Sequence, residues 1–197
     1  MSLATYADFG RLYLWSKTGL DRLCPSRPHP LRSSVRLTER CNSRCVTCGY
    51  WKKKWQDKIS FDQAVQLVRD LKAVGVERLR FTGGEPLVRT DFMDVLKTIK
   101  PGDFSKLTIA TNGLLLGKYA PTLTKTPVTD LGVSLDGLEA TNDELRGVPG
   151  YFAKAVAGIR ATDKRVTVMT TVHTRNVDEL EGLFEPVSYT HLRAHET

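Results

Sequence analysis

No stretch of this 197-residue chain is apolar for anything near the roughly 20 residues that a membrane-spanning helix needs. The N-terminus also lacks the basic-then-apolar pattern of a secretory leader, so the sequence points to the cytoplasm and away from a membrane partner. Cysteine is scarce, at four residues. In a reducing compartment, three of them crowded together favour metal or redox chemistry over disulfides. Acidic residues are the minority charge, 22 against 29 Lys and Arg, and the resulting +7 is compatible with an anionic substrate or weak nucleic-acid affinity. The excess is scattered apart from Lys52-Lys53-Lys54, so it reads first as a solvated basic surface and makes nucleic acid an unfavoured partner. What remains is ordinary: 41% hydrophobic and 26% charged residues, in a length that suffices for one domain with a sizeable core.

The three close cysteines lie in Cys41-Asn42-Ser43-Arg44-Cys45-Val46-Thr47-Cys48. Thiolates at this spacing can all turn toward one metal centre, and a CxxxCxxC triplet is one ligand short of the four that a cubane iron-sulfur cluster normally takes from protein. An incomplete zinc site or a redox thiol set fits the same triplet. Cys24 stands apart, in a linker made irregular by Pro25, Pro28 and Pro30, and reads as an isolated thiol. Ahead of it, Tyr6, Phe9, Leu12, Tyr13 and Leu14 recur at near-helical spacing, so residues 1–32 form a helix and a linker before the core.

From Ser34 onward, strands and helices alternate. Strands are expected at 34–37, 78–82, 107–110, 130–135 and 166–172, with helices at 61–74, 91–99, 115–123 and 151–162 and a last one from Val177. Ser60-Phe61-Asp62-Gln63 has the form of a capping box, and Gly75 ends that helix. Such alternation argues for right-handed βαβ units and a parallel sheet. Each strand delivers a polar or glycine-rich stretch at its C-terminal end: the cysteines, Gly83-Gly84-Glu85-Pro86, Thr111-Asn112-Gly113, Ser134-Leu135-Asp136-Gly137, and Thr170-Thr171-Val172-His173. In a parallel barrel or open sheet those ends share one rim, where active sites are built. From its place there, His173 is expected to face the substrate.

A cysteine triplet after the first strand, Gly-Gly-Glu-Pro some 35 residues later after the second, and Ser-Leu-Asp closing the fourth resemble the radical S-adenosylmethionine superfamily. The resemblance covers about Ser34 to Phe184. It implies an α/β fold, an incomplete parallel β/α barrel of which about five βα units are present, in a core over 33–186. It also implies a 4Fe-4S cluster on Cys41, Cys45 and Cys48, with S-adenosylmethionine chelated at the open iron. Its implied cofactor contacts are Gly83, Gly84, Glu85, Pro86, Thr111, Asn112, Ser134, Asp136 and Arg146. In this reading the two glycines let the backbone approach the methionyl end, Glu85 accepts from its ammonium group, and Ser134 and Arg146 bind its carboxylate. Thr47 occupies the position where the family usually has an aromatic residue near the adenine, so Tyr50 or Trp51 is expected to supply a stacking surface.

The activity implied is one-electron cleavage of S-adenosylmethionine to a 5'-deoxyadenosyl radical that takes a hydrogen atom from substrate, fed by an electron donor such as flavodoxin or ferredoxin. No side chain is assigned as an acid or base. Gly-Gly-Glu-Pro-Leu-Val-Arg and Thr-Asn-Gly-Leu-Leu are similar to the GTP cyclase of molybdenum-cofactor synthesis, whereas Ser-Leu-Asp-Gly and the Asp143 to Phe152 region look more like peptide-modifying and cofactor-maturing members, toward which the reading leans. The substrate is accordingly a peptide or small molecule. A zinc-binding nucleic-acid module and a metal-free structural α/β domain are the rival classes. Residues 187–197 resemble a translated sequencing adapter, so they are set aside as non-native, His191 and His195 included, and the natural chain is expected to continue past Pro186.

Overall fold

In the computed structural model, residues 30–52, 57 and 59–183 are described. The expected N-terminal helix, Cys24 and the 187–197 tail lie outside the described residues. Five strands form one sheet in the order β1 (Arg32–Thr38), β2 (Arg78–Gly83), β3 (Lys106–Thr111), β4 (Asp130–Ser134) and β5 (Arg165–Met169), every neighbouring pair parallel. Between them run α1 (Phe61–Ala73), α2 (Phe92–Lys97), α3 (Leu116–Leu123), α4 (Glu139–Arg146) and α5 (Tyr151–Ala161). The α/β partial barrel read from the sequence is therefore the observed architecture. No described helix is long and apolar enough to cross a membrane.

Strand alternation sorts the side chains. Leu79 and Phe81 of β2, Leu107 and Ile109 of β3, and Leu131 and Val133 of β4 are all buried against the helices, joined by Phe92, Leu96, Leu116 and Leu123. Phe81 and Phe92 meet edge to face at 5.3 Å and 85°, a geometry that adds to the area they bury. The intervening positions, Arg78, Arg80 and Thr82 on β2 or Lys106 and Thr108 on β3, point to the opposite, concave face.

Helix α1 starts as its sequence indicates. Ser60 Oγ accepts from Gln63 N, Gln63 Oε1 accepts from Ser60 N at 2.8 Å, and Gly75 takes φ 84° just past the helix. Two expectations differ. Helix α4 was not anticipated, because EATNDELR has no apolar period and buries only Asn142 and Leu145; it forms by packing on α5 and closes at Gly147 with φ 66°. Strand β5 stops at Met169, three residues early, because Leu135 N to Met169 O is the last rung and Thr170 then turns its hydroxyl onto Leu135 O. The final helix expected from Val177 is present: a 3-10 turn, Val177–Glu179, leads directly into helical residues 180–183.

The difference between a cap and a core residue should be measurable by urea unfolding. Ser60→Ala should cost about 1 kcal/mol. Phe81→Ala, which empties a fully buried site, should cost about 3–5 kcal/mol.

Candidate functional site

The cysteine loop is clamped from both sides by main chain. On one side Gly84 N donates to Thr38 O at 3.0 Å and Glu85 N to Arg40 O at 2.8 Å. A Cβ at Gly83 would stand 2.2 Å from Thr38 O, and one at Gly84 2.2 Å from Arg40 O. The glycines are thus needed for the approach of two backbones, a role the sequence reading did not assign them, and both also line the cavity described next. On the other side Arg44 N and Val46 N donate to Arg146 O and Leu145 O, at 3.0 and 2.9 Å, and a Cβ at Gly147 would meet Arg44 O at 2.3 Å.

This clamp turns the loop over a cavity of about 260 Å³ to which every strand end contributes. Cys41, Cys45 and Cys48 line it, with Gly83 and Gly84 after β2, Thr111 and Asn112 after β3, Ser134 of β4 and Met169 of β5. Arg146, Thr47, Tyr50 and Trp51 complete the wall. All three thiols are half-buried and free. Among the described residues no three Cys, His, Asp or Glu side chains converge closely enough to hold one metal ion. Three free thiols on one cavity are the donor type that an iron-sulfur cluster takes, each on a different iron.

The electrostatics of the wall fit the same group. Ser43 N lies 3.4 Å from Cys41 Sγ, Asn112 Nδ2 lies 3.8 Å from it, and Arg146 Nη1 lies 4.0 Å from Cys45 Sγ. Donors aimed at sulfur stabilise thiolate and tune a bound cluster. Burial pushes the Cys41 thiol up, and the Ser43 N–H partly offsets it. Ser43 itself, buried and lining the cavity, has a hydroxyl with no partner among the described residues. Sequence reasoning missed it, although its place between two cysteines was a signal.

Three expected contacts stand behind the wall. Glu85 is fully buried; Oε1 accepts from Leu87 N and Thr111 Oγ1, and Oε2 from Asn112 N at 2.6 Å. It ties β2 to β3, with both carboxylate oxygens engaged by protein donors. Pro86 is buried at the start of a 3-10 turn, Pro86–Val88, away from the cavity. Asp136 is buried too, where it pairs with Arg146 Nε at 2.8 Å and accepts from Thr171 N at 2.9 Å, so it holds the arginine. The Tyr50 hydroxyl is engaged by Arg36, while Trp51 Nε1 donates to Cys45 O at 3.0 Å. His173 is half-buried in the loop after β5, where its Nδ1 accepts from Arg175 N at 3.2 Å.

Other supports went unread in the sequence. Asn176, fully buried, donates to Asp136 O and Thr171 O at 2.6 and 2.8 Å. Asn142 Oδ1 accepts from Asp136 N, and Asp143 accepts from Gly150 N and Phe152 N, capping α5 from α4. Asp143 had a local signal, a carboxylate before the Gly150-Tyr151 helix start; Asn176 had none, because its partners come from two separate loops.

Burial raises Glu85 from the usual carboxylate range to about 7, against the pull of Asn112 N, Thr111 and Leu87 N. The folded value lies above the unfolded one, so the neutral form favours folding and the contribution is lost as pH rises through about 7. Unfolding free energy should therefore increase by a few kcal/mol between pH 8 and pH 5 by way of this group. Urea unfolding of wild type and Glu85→Gln across that window checks it, the variant showing the flatter slope.

The sequence matches the radical SAM superfamily over residues 35–187. It is 30% identical over 155 residues to Fe-coproporphyrin III synthase of Methanosarcina barkeri, covering 76% of this chain and 39% of that protein. It is 37% identical over 141 residues to GTP 3',8-cyclase of Lactiplantibacillus plantarum, covering 68% of this chain and 42% of that one. The chain thus spans about two fifths of the length of either relative. In fold it is similar to SuiB of Streptococcus suis bound to S-adenosylmethionine, with a TM-score of 0.70 at 20% identity over 90% of this chain and 41% of that one. It is also similar to anSMEcpe with bound AdoMet and Kp18Cys peptide, at 0.66 and 17% over 80% of this chain and 49% of that one. With its strand ends, its thiol triplet and this match over most of its length, the chain belongs to the radical SAM superfamily, whose members are enzymes that use an iron-sulfur cluster and S-adenosylmethionine.

Proposed function

We propose that Cys41, Cys45 and Cys48 hold a 4Fe-4S cluster and that the remaining wall of the cavity holds S-adenosylmethionine. The observation that carries this reading is the single cavity shared by three free thiols and the C-terminal ends of all five strands. Such a centre, when bound, supplies one-electron reductive cleavage of S-adenosylmethionine to a 5'-deoxyadenosyl radical, which removes a hydrogen atom from substrate. The chain's own residues bind and orient. Arg146, held by Asp136 and with Tyr151 beneath it at 5.9 Å, presents a charged fork suited to a carboxylate. Asn112, fixed by accepting from Leu114 N at 3.0 Å and donating to Asn42 Oδ1 at 2.7 Å, offers an amide at the floor. Trp51, anchored on Cys45 O, offers an aromatic face where Thr47 cannot.

The core runs over 33–186 in this proposal, in a cytoplasmic enzyme fed by a flavodoxin- or ferredoxin-type donor and acting in peptide or cofactor maturation. Neighbouring structures with precursor peptide SuiA and with Kp18Cys peptide support a peptide substrate, and the Fe-coproporphyrin III synthase relative supports cofactor maturation. The 37% identity to a GTP 3',8-cyclase supports a GTP cyclase-like second reading.

Anaerobic reconstitution with iron and sulfide tests the cluster. The chain should turn brown and take up roughly four irons. Cys41→Ala, Cys45→Ala and Cys48→Ala should each lose the chromophore, and Cys24→Ala should keep it. Retention of zinc alone, or full iron uptake by the three variants, would overturn the assignment.

A further inference from the structure

Ser43 lines the thiol cavity, is 2% exposed, and carries a buried hydroxyl with no hydrogen-bond partner among the described residues. Two other buried donors lack an aligned partner, but neither stands open at the cavity. Arg146 Nε lies 2.8 Å from Asp136 Oδ2, and Asn142 is not part of the cavity wall. A hydroxyl taken out of water is costly unless an acceptor replaces the water. Alanine would fill nearly the same space without that cost, so the serine is accounted for by an acceptor that reaches it only when the cavity is occupied.

The loop leaves the residue little freedom to turn away. Asn42 Oδ1 accepts from Asn112 Nδ2 at 2.7 Å on one side of Ser43, and Arg44 N donates to Arg146 O at 3.0 Å on the other. Moving Ser43 into solvent would break that clamp. Its own N–H is already directed at Cys41 Sγ, 3.4 Å away, with Asn112 Nδ2 3.8 Å from the same sulfur. The acceptor chemistry around residue 43 is therefore sulfur. A neutral thiol accepts weakly, whereas an iron-bound thiolate or an inorganic sulfide carries negative charge and accepts better.

We propose that Ser43 Oγ donates a hydrogen bond to a sulfur of the cluster held by Cys41, Cys45 and Cys48 and thereby raises its reduction potential. This rests on the cluster assignment made above. Reduction adds one electron, and the more negative state gains more from a donor at sulfur, so the hydroxyl favours the reduced form. The proton stays on Oγ, and no bond to Ser43 forms or breaks.

Redox titration of the anaerobically reconstituted 197-residue chain, with dithionite as electron source and the reduced cluster followed by EPR, tests this without any turnover. Ser43→Ala and Ser43→Gly should each keep the chromophore and about four irons. Their midpoints should move negative by roughly tenfold in the reduction equilibrium, about 59 mV for one electron. Ser60→Ala, which weakens the start of α1 and lies off the cavity wall, should leave the midpoint where it is. Pulsed ENDOR of the reduced cluster before and after exchange into deuterated buffer should find one coupled exchangeable proton fewer in Ser43→Ala than in wild type. An unchanged midpoint in both variants, or a shift that appears only once S-adenosylmethionine is added, overturns the proposal. Loss of iron uptake by both variants overturns it as well, because the hydroxyl would then serve the loop and not the cluster. A wild-type chain that forms the cluster while the variants' midpoints stay put sinks this inference alone; a wild-type chain that takes up no iron sinks the cluster assignment and this inference with it.

Discussion

The rim of this sheet depends on backbone approaching backbone where no side chain fits. Gly83 and Gly84 bring the end of β2 onto the end of β1, and Gly147 brings the end of α4 onto Arg44. The cysteine loop has little regular structure and would otherwise be held only by its own residues, whose ordering is costly. Four main-chain hydrogen bonds from two flanking elements replace water as its partners. Three thiols within eight residues then keep a fixed spread over one cavity, which is what a multi-iron ligand set requires and a flexible loop does not provide.

Behind that clamp the strand ends are joined by buried polar side chains rather than by apolar packing. Glu85 links β2 to β3 through Thr111 and Asn112, and Asn112 in turn faces Cys41. Asp136 and Asn176 link the end of β4 to the loop after β5, and Asp136 holds Arg146 toward Cys45. Buried polar groups are costly unless fully partnered. Here each partner is fixed by a strand end, so the networks set the direction of the donors that reach sulfur. Position at the site is therefore a property of the whole rim.

The strands were legible because their apolar residues fall on one face, as in Leu79 and Phe81 or Leu107 and Ile109, and the helix start at Ser60 was legible because a capping box is local. The thiols, Ser134 and the Thr111-Asn112 pair were legible as members of one cavity because parallel strands deliver their C-terminal ends to one side, whereas Arg146, at the end of a helix, was legible only through the family resemblance. What the motif could not convey was direction. Glu85 and Asp136 look like ligand groups in a linear reading, yet each turns into the protein, since a strand-end carboxylate surrounded by backbone N–H groups satisfies them before it can satisfy a ligand. Helix α4 stayed hidden for a similar reason: its polar sequence becomes helical through contacts with α5 and the cysteine loop, which lies about a hundred residues away in the chain.

The two faces of the sheet answer to different pressures. The outer face needs only to be apolar and close-packed, and helices α1 to α5 with Phe81 and Phe92 meet that need. The concave face is not required to be charged for the fold to form; Ser34, Thr108 and Thr167 show that small polar residues fit its positions. The register sets Arg32 beside Arg78 and Arg78 beside Lys106, and these arginines are exposed, so water screens the like charges that the strands bring together.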